Sequence, residues 1–260
     1  MVVRLLSIVA GLALAFAASA QSSPVDGVDY IELKPPQSTE SSGKIEVIEF
    51  FWYRCPHCYS LEPDLQSWVK RLPRDVQFKR VPGILNDDWA IDARIFYTLE
   101  ALGELERLHR PLFDAIHQQG GVRLHGDAFA KWTADWLAKQ KVDTAKYDAA
   151  LRSFTVESKL RRAVQMGRAY RLEGVPTLTV QGRYLVIAST SQRAMLATTD
   201  FLIGEARKQL PKPAAGLELV VRAQHVERPR SALEITALVQ TFRAYRTTPS
   251  TPTERSRRPS

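Results

Sequence analysis

Cys55 and Cys58 are the only cysteines in the 260 residues, and they stand three apart in the run Phe51-Trp52-Tyr53-Arg54-Cys55-Pro56-His57-Cys58. A disulfide between them would close almost no chain, and the stabilisation a bridge provides grows with the loop it closes. A structural staple therefore explains the pair poorly, and a reversible redox couple explains it well. An apolar run precedes the pair and helical spacing follows it, so Cys55 falls at a helix N-terminus. Unpaired N–H groups and the helix dipole favour a thiolate there. A dipole contribution of about 0.3–2 kcal/mol, against about 1.4 kcal/mol per tenfold change in ionisation, lowers the Cys55 pKa by roughly one. A deeper shift needs direct N–H or S–H hydrogen bonds to the sulfur, or a charged His57. Stabilising the thiolate favours the dithiol over the disulfide and makes the couple an oxidant. His57, between the cysteines, is read as tuning that thiolate rather than as an ordinary exposed side chain. A zinc site needs about four ligands. No second cysteine pair exists, and His109, His117, His125 and His225 are scattered along the chain, so no metal is expected.

The elements that must hold this site follow from hydrophobic periodicity. Lys44 to Trp52 reads as a strand buried on both faces. Glu49 interrupts it, and a carboxylate there is costly unless paired or protonated. An ion pair with Lys79 or Arg80 on the next strand would satisfy the charge. A further role, relaying the proton of Cys58 from beneath the pair, fits the tendency of unusual buried carboxyls to cluster at functional sites. The sign of its pKa shift stays open at this point, because burial and a basic neighbour oppose each other. A helix is expected from about His57, with Leu61, Leu65, Trp68, Val69 and Leu72 along one face. Pro63 should kink it, and Leu72-Pro73 should end it. A second strand follows over Val76–Val81.

The next ninety residues read as helical. Ile91, Ile95, Leu99 and Leu102 mark one helix, closed near Gly103. Leu105–Gln118 is a second, with a break near Pro111. Asp127 is the expected cap of a third, Asp143 or Thr144 starts a fourth, and Val156 to Tyr170 carries a fifth. Short strands at Thr177–Gln181 and Tyr184–Ile187 are joined by Gly182, and Ser191 caps a closing helix. The order is β-α-β, a helical block, then β-β-α, which describes an α/β domain with a helical insertion. Residues 44–85 and 170–210 would form the α/β part and residues 86–169 the insertion. Residues 21–43 read as a leader, with a possible edge strand at Tyr30–Leu33.

The two ends complete the picture. Arg4, the apolar run Leu5–Ala17 and Ala18-Ser19-Ala20 have the order of a signal peptide spanning residues 1–20, with Gln21 starting the mature chain. The run is too short to span a bilayer comfortably. The net charge of +8 is concentrated in residues 211–260, whose nine Lys or Arg and four Glu contribute +5. The body of the chain therefore has no evident phosphate-binding stripe, and nucleic acid is not an expected partner. The tail is Thr, Pro, Ser and Arg rich and reads as disordered, with at most an isolated helix at Ala232–Tyr245.

Glu49-Phe50-Phe51 through Cys55-Pro56-His57-Cys58-Tyr59 resembles the DsbA family of bacterial periplasmic dithiol oxidases. Gly174-Val175-Pro176 resembles that family's cis-proline loop, opposite the cysteines. The resemblance runs over roughly residues 25–210. It implies a thioredoxin fold with an inserted helical domain, and catalysis by Cys55, Cys58, His57, Pro56 and Glu49. It also implies a Val175–Pro176 segment that receives an extended substrate. On the residues alone Pro176 would be trans, the commoner state of such bonds; the resemblance makes it cis. The implied activity is transfer of the Cys55–Cys58 disulfide to reduced, unfolded exported polypeptides in the periplasm, with no other cofactor. Reoxidation by a membrane quinone reductase of the DsbB kind and a monomeric state are implied as well. Two alternatives stay open: an isomerase or reductase on the same fold, and a non-catalytic chaperone-like binding module. Isomerases of this group usually carry an N-terminal dimerisation domain, for which residues 21–43 are too short.

Overall fold

A computed structural model of the chain describes residues 23–187 and 191–210. The signal peptide and the tail read from the sequence lie outside the described residues. A five-stranded sheet runs in the order β1-β5-β4-β2-β3. Its strands are β1 (Tyr30–Glu32), β2 (Ile45–Phe51), β3 (Val76–Pro82), β4 (Thr177–Val180) and β5 (Tyr184–Val186). Parallel pairing joins β2 to β3, and β2 meets β4 antiparallel. The possible edge strand at Tyr30–Leu33 is present as β1, antiparallel to β5 at one margin of the sheet. All seven residues of β2 are buried, which its near-continuous apolar sequence dictates for a strand covered on both faces.

The helices α1 (Pro56–Val69), α2 (Asp87–Ala101), α3 (Leu105–Gln118), α4 (Gly126–Lys139), α5 (Thr144–Leu151), α6 (Phe154–Ala169) and α7 (Gln192–Gln209) complete the architecture. Helices α2–α6 all fall between β3 and β4, which is the helical insertion of a thioredoxin fold. Local chemistry sets most of their starts. Asn86, Asp143 and Ser153 each accept a bond from a backbone N–H in the first turn of the helix they precede. Ser191 does the same for Ala194 at the start of α7. The β4–β5 turn places Gln181 at φ 52° and Gly182 at φ 63°. A Cβ on Gly182 would meet the Gln37 carbonyl oxygen, so glycine is required by space as well as by conformation.

Three sequence expectations need correction. The first helix ends at Val69, before Leu72-Pro73, because the chain turns at Lys70 and Arg71 ahead of the proline. Pro111 does not break α3, which runs continuously through it, as α1 runs continuously through Pro63. Tertiary packing outweighs the single N–H each proline removes, since Leu61, Leu65, Leu112 and Phe113 are all fully buried around them. Asp127 is not the cap of α4. It sits one residue inside, where its charge faces the helix dipole, and His125 occupies the cap position.

Candidate functional site

Strand β2 delivers the chain to the site and α1 begins it. Cys55 is the N-cap of α1, and its sulfur accepts the N–H of Cys58 at 3.4 Å. Pro56 occupies the first helical turn, where its missing N–H costs nothing. On its other side the Cys55 thiol reaches the Val175 carbonyl oxygen at 3.5 Å, and the Val175–Pro176 bond is cis. The cysteines are free thiols, so the structure holds the dithiol form.

The two thiols are pushed in opposite directions. The Cys55 pKa is lowered to about 6, first by the Cys58 thiol and then by the N–H groups of Cys58 and His57 and the charge of His57; these outweigh partial burial. Burial raises the Cys58 thiol well above its ordinary value, and the Cys55 and Glu49 charges add to that. Direct hydrogen bonds thus carry most of the Cys55 shift, and the charge of His57 is the smallest of the named causes.

Beneath the pair lies a buried charged cluster. Glu49, 1 % exposed, receives the Arg80 Nε at 3.1 Å on one oxygen, while its other oxygen has no partner among the described residues. Of the two partners offered by the sequence, Arg80 is the one found; Lys79 pairs with Glu46 instead, at 2.7 Å. Burial wins over the arginine, and the Glu49 pKa is raised to about 8. Arg80 also holds the fully buried Glu62 of α1 at 3.0 Å, and His109 of α3 stands 3.6 Å from the same carboxylate. Glu62 carried no signal as a site residue in the sequence, and His109 was read there only as one of the scattered histidines.

Three of the four scattered histidines are close together in space, and His225 lies outside the described residues. His109 Nδ1 bonds the Tyr53 hydroxyl at 2.9 Å, His117 Nε2 meets the Tyr53 carbonyl at 2.8 Å, and His125 Nδ1 lies 3.3 Å from the Arg54 guanidinium. His117 also stacks on Tyr59, with centroids 4.3 Å apart. Three histidines of the insertion therefore converge on the two residues before Cys55. Among the described residues no group of three or more His, Cys, Asp or Glu is disposed to hold a metal ion, and no helix is long and apolar enough to cross a membrane.

Residues 74–198 match the family model described as a DSBA-like thioredoxin domain, a span that opens after the cysteine pair. The chain is 41 % identical over 175 residues to the thiol:disulfide interchange protein DsbA of Burkholderia cepacia, covering 67 % of this chain and 81 % of that protein. With the DsbA of Azotobacter vinelandii it shares 38 % identity over 208 residues, covering 77 % and 95 %. Among solved structures, the crystal structure of Pseudomonas aeruginosa DsbA superposes with a TM-score of 0.65 at 34 % identity, covering 71 % of this chain and 95 % of that one. The oxidoreductase DsbA from Xylella fastidiosa gives 0.65 at 33 % identity, covering 71 % and 98 %.

Proposed function

We propose, from the premise that this chain belongs to the DsbA family of thiol:disulfide interchange proteins, that it is the oxidase of exported polypeptides. It is a thiol–disulfide oxidoreductase, and what the reading adds is direction, residues and partners. The observation that carries it is the asymmetry of the couple, with Cys55 held as a thiolate near pH 6 and Cys58 held protonated. A dithiol stabilised in this way makes the corresponding disulfide a strong oxidant.

In the forward reaction a substrate thiolate attacks the Cys55 sulfur of the Cys55–Cys58 disulfide, and Cys58 departs and takes up a proton. The resulting mixed disulfide joins Cys55 to the substrate. A second substrate thiolate then attacks the substrate sulfur, a substrate disulfide forms, and Cys55 leaves as a thiolate. Its low pKa makes it the better leaving group. The protein ends as the dithiol and returns two electrons and two protons to a membrane quinone reductase of the DsbB kind. The Val175 carbonyl, 3.5 Å from the Cys55 sulfur, lies where an extended substrate would run past Pro176. Residues 1–20 would direct the chain to the periplasm, where it would work as a monomer.

Catalysed oxidation of a reduced, unfolded secreted protein, together with the reduction potential of the couple, tests the reading. Faster disulfide formation and a potential well above that of reducing thioredoxins, about −270 mV, are expected. A potential at or below that value would make the chain a reductant and overturn the assignment.

Glu49 is assigned the Cys58 proton. With a pKa of about 8 it is mostly protonated at neutral pH, so it can neutralise the Cys58 thiolate as that group departs. Glu49→Gln should slow exchange by about a hundredfold, the lower end of a general-acid contribution, and remove the limb of the pH–rate profile near 8. An unchanged profile would leave Glu49 as a partner for Arg80 and nothing more.

A further inference from the structure

The residue before the nucleophile is an arginine with no access to solvent. The Arg54 side chain is 0 % exposed, and the insertion takes up its whole guanidinium. Its Nε lies 3.2 Å from both oxygens of Asp92, and Nη2 bonds Asp92 at 2.7 Å and the Asp88 carbonyl at 3.0 Å. Nη1 meets the Leu124 carbonyl at 2.7 Å and the Asp88 carboxylate at 2.9 Å. The rings of Trp52 and Phe129 flank the guanidinium at 4.9 and 4.4 Å. Asp88 and Asp92 belong to α2, Phe129 to α4, and Leu124 to the segment between α3 and α4.

Such a site is poorly explained as a source of stability. Burying an ion pair costs several kcal/mol per charge before any attraction is counted, and apolar residues of similar volume often do as well or better. What it supplies is a fixed position. The Cys55 N–H bonds the Trp52 carbonyl at 3.0 Å across Tyr53 and Arg54, so the arginine is one of the two central residues of the turn that aims the sulfur. The bonds that hold the Cys55 thiolate are short-ranged and directional, and a small rotation of this turn would carry the sulfur away from the N–H groups of α1.

We propose that Arg54 is a positioning residue that makes the helical insertion part of the redox site: its pairing with Asp92 and Asp88 fixes the turn that presents Cys55 to Cys58. This rests on the reading of Cys55 as the nucleophile. Asp92 reaches the Cys55 turn mainly through its bonds to Arg54, and this gives a test with opposite signs. If the arginine worked by its charge alone, Asp92→Asn would leave the cation opposed by Asp88 only and favour the Cys55 thiolate. If it works by position, the same substitution loosens the turn and disfavours the thiolate.

The experiment is the pH dependence of alkylation at Cys55 in the reduced full chain, with each cysteine's label located by peptide mapping, for wild type, Asp92→Asn and Arg54→Lys. Both variants should raise the midpoint by about one, which lowers the thiolate fraction at pH 6 about fivefold, and both should make the couple less oxidising. Arg54→Lys keeps the charge but loses the planar fork. Faster labelling at pH 6 in Asp92→Asn, or a profile unchanged in variants that are folded, would overturn the proposal. If Asp92→Asn does not fold, Asp88→Asn, at a half-buried position with its side chain 31 % exposed, should give the same direction with a smaller change, and no change there would count against the proposal. Wild-type labelling at Cys58 before Cys55 would defeat the reading of the nucleophile instead, which keeps the two failures apart.

Discussion

Cys58→Ala protein presented with a disulfide-bonded peptide should accumulate a covalent adduct through Cys55, while the wild-type chain passes through the same adduct and releases it. Ionisation and access set this asymmetry. With a pKa of about 6, Cys55 is largely thiolate at neutral pH and attacks the peptide disulfide, expelling one peptide sulfur. Release needs a second thiol attacking the Cys55 sulfur from within the site, and Cys58, one helical turn away with its N–H already on that sulfur, is the group in place. Removing it also deletes the leading cause of the low Cys55 pKa, the Cys58 thiol, so adduct formation slows without ceasing. Catalysed oxidation of a reduced substrate should fall to the uncatalysed background in both Cys58→Ala and Cys55→Ser, because neither can carry an internal disulfide. Alkylation of the wild-type dithiol near pH 6 should favour Cys55 over Cys58 by more than about a hundredfold, since a thiol titrating above 9 is under a thousandth ionised there. Preferential labelling of Cys58, or an adduct that the alanine variant releases as fast as wild type, would reverse the roles.

The cysteine pair was legible because its chemistry needs only residue type and spacing, and the strand before it because its apolar run is continuous. Glu49 was legible for the same reason, as an exception inside that run. Glu62 was not. A glutamate between Leu61 and Leu65 in a helix reads as a solvated position, and only β3, which brings Arg80 across, shows it to be buried. Arg54 was hidden in the same way, because its partners lie 34 to 71 residues away and a charged residue beside a cysteine looks like surface. The histidines carried a signal that linear spacing obscures: His109, Phe113 and His117 recur every four residues, which puts them on one face of α3. Pro111 misled in the other direction. The break expected there obeys a rule about isolated helices, and here the helix is held by buried neighbours on both sides.

The dithiol form should melt above the disulfide form at pH 7.5, and the gap should close as the pH falls through about 6. The Cys55 pKa is depressed in the folded dithiol, from 9.0 to about 6. A group depressed on folding contributes stability that is present at higher pH and lost as pH falls through its folded value. At pH 7.5 the contribution is about 1–2 kcal/mol after allowance for solvent screening of a thiolate at the mouth of the site. For a domain of this size that corresponds to a midpoint roughly 2–8 °C higher. The disulfide form has no thiolate to stabilise, and its bridge, closing only two intervening residues, restrains the unfolded chain less than a bridge across a longer loop would. Glu49 has the opposite slope, since a carboxyl raised to about 8 by burial makes the fold more stable as the pH falls toward 4.5. Burial, the largest cause of the Glu49 shift, is common to both redox forms and cancels in the difference between paired melts, which leaves the Cys55 thiolate and its repulsion of Glu49 in the gap. Melts with and without reductant at pH 5, 6, 7 and 8 separate the two. A disulfide form that melts higher at pH 7.5 would mean that the bridge stabilises the fold, and the couple would then be a reductant.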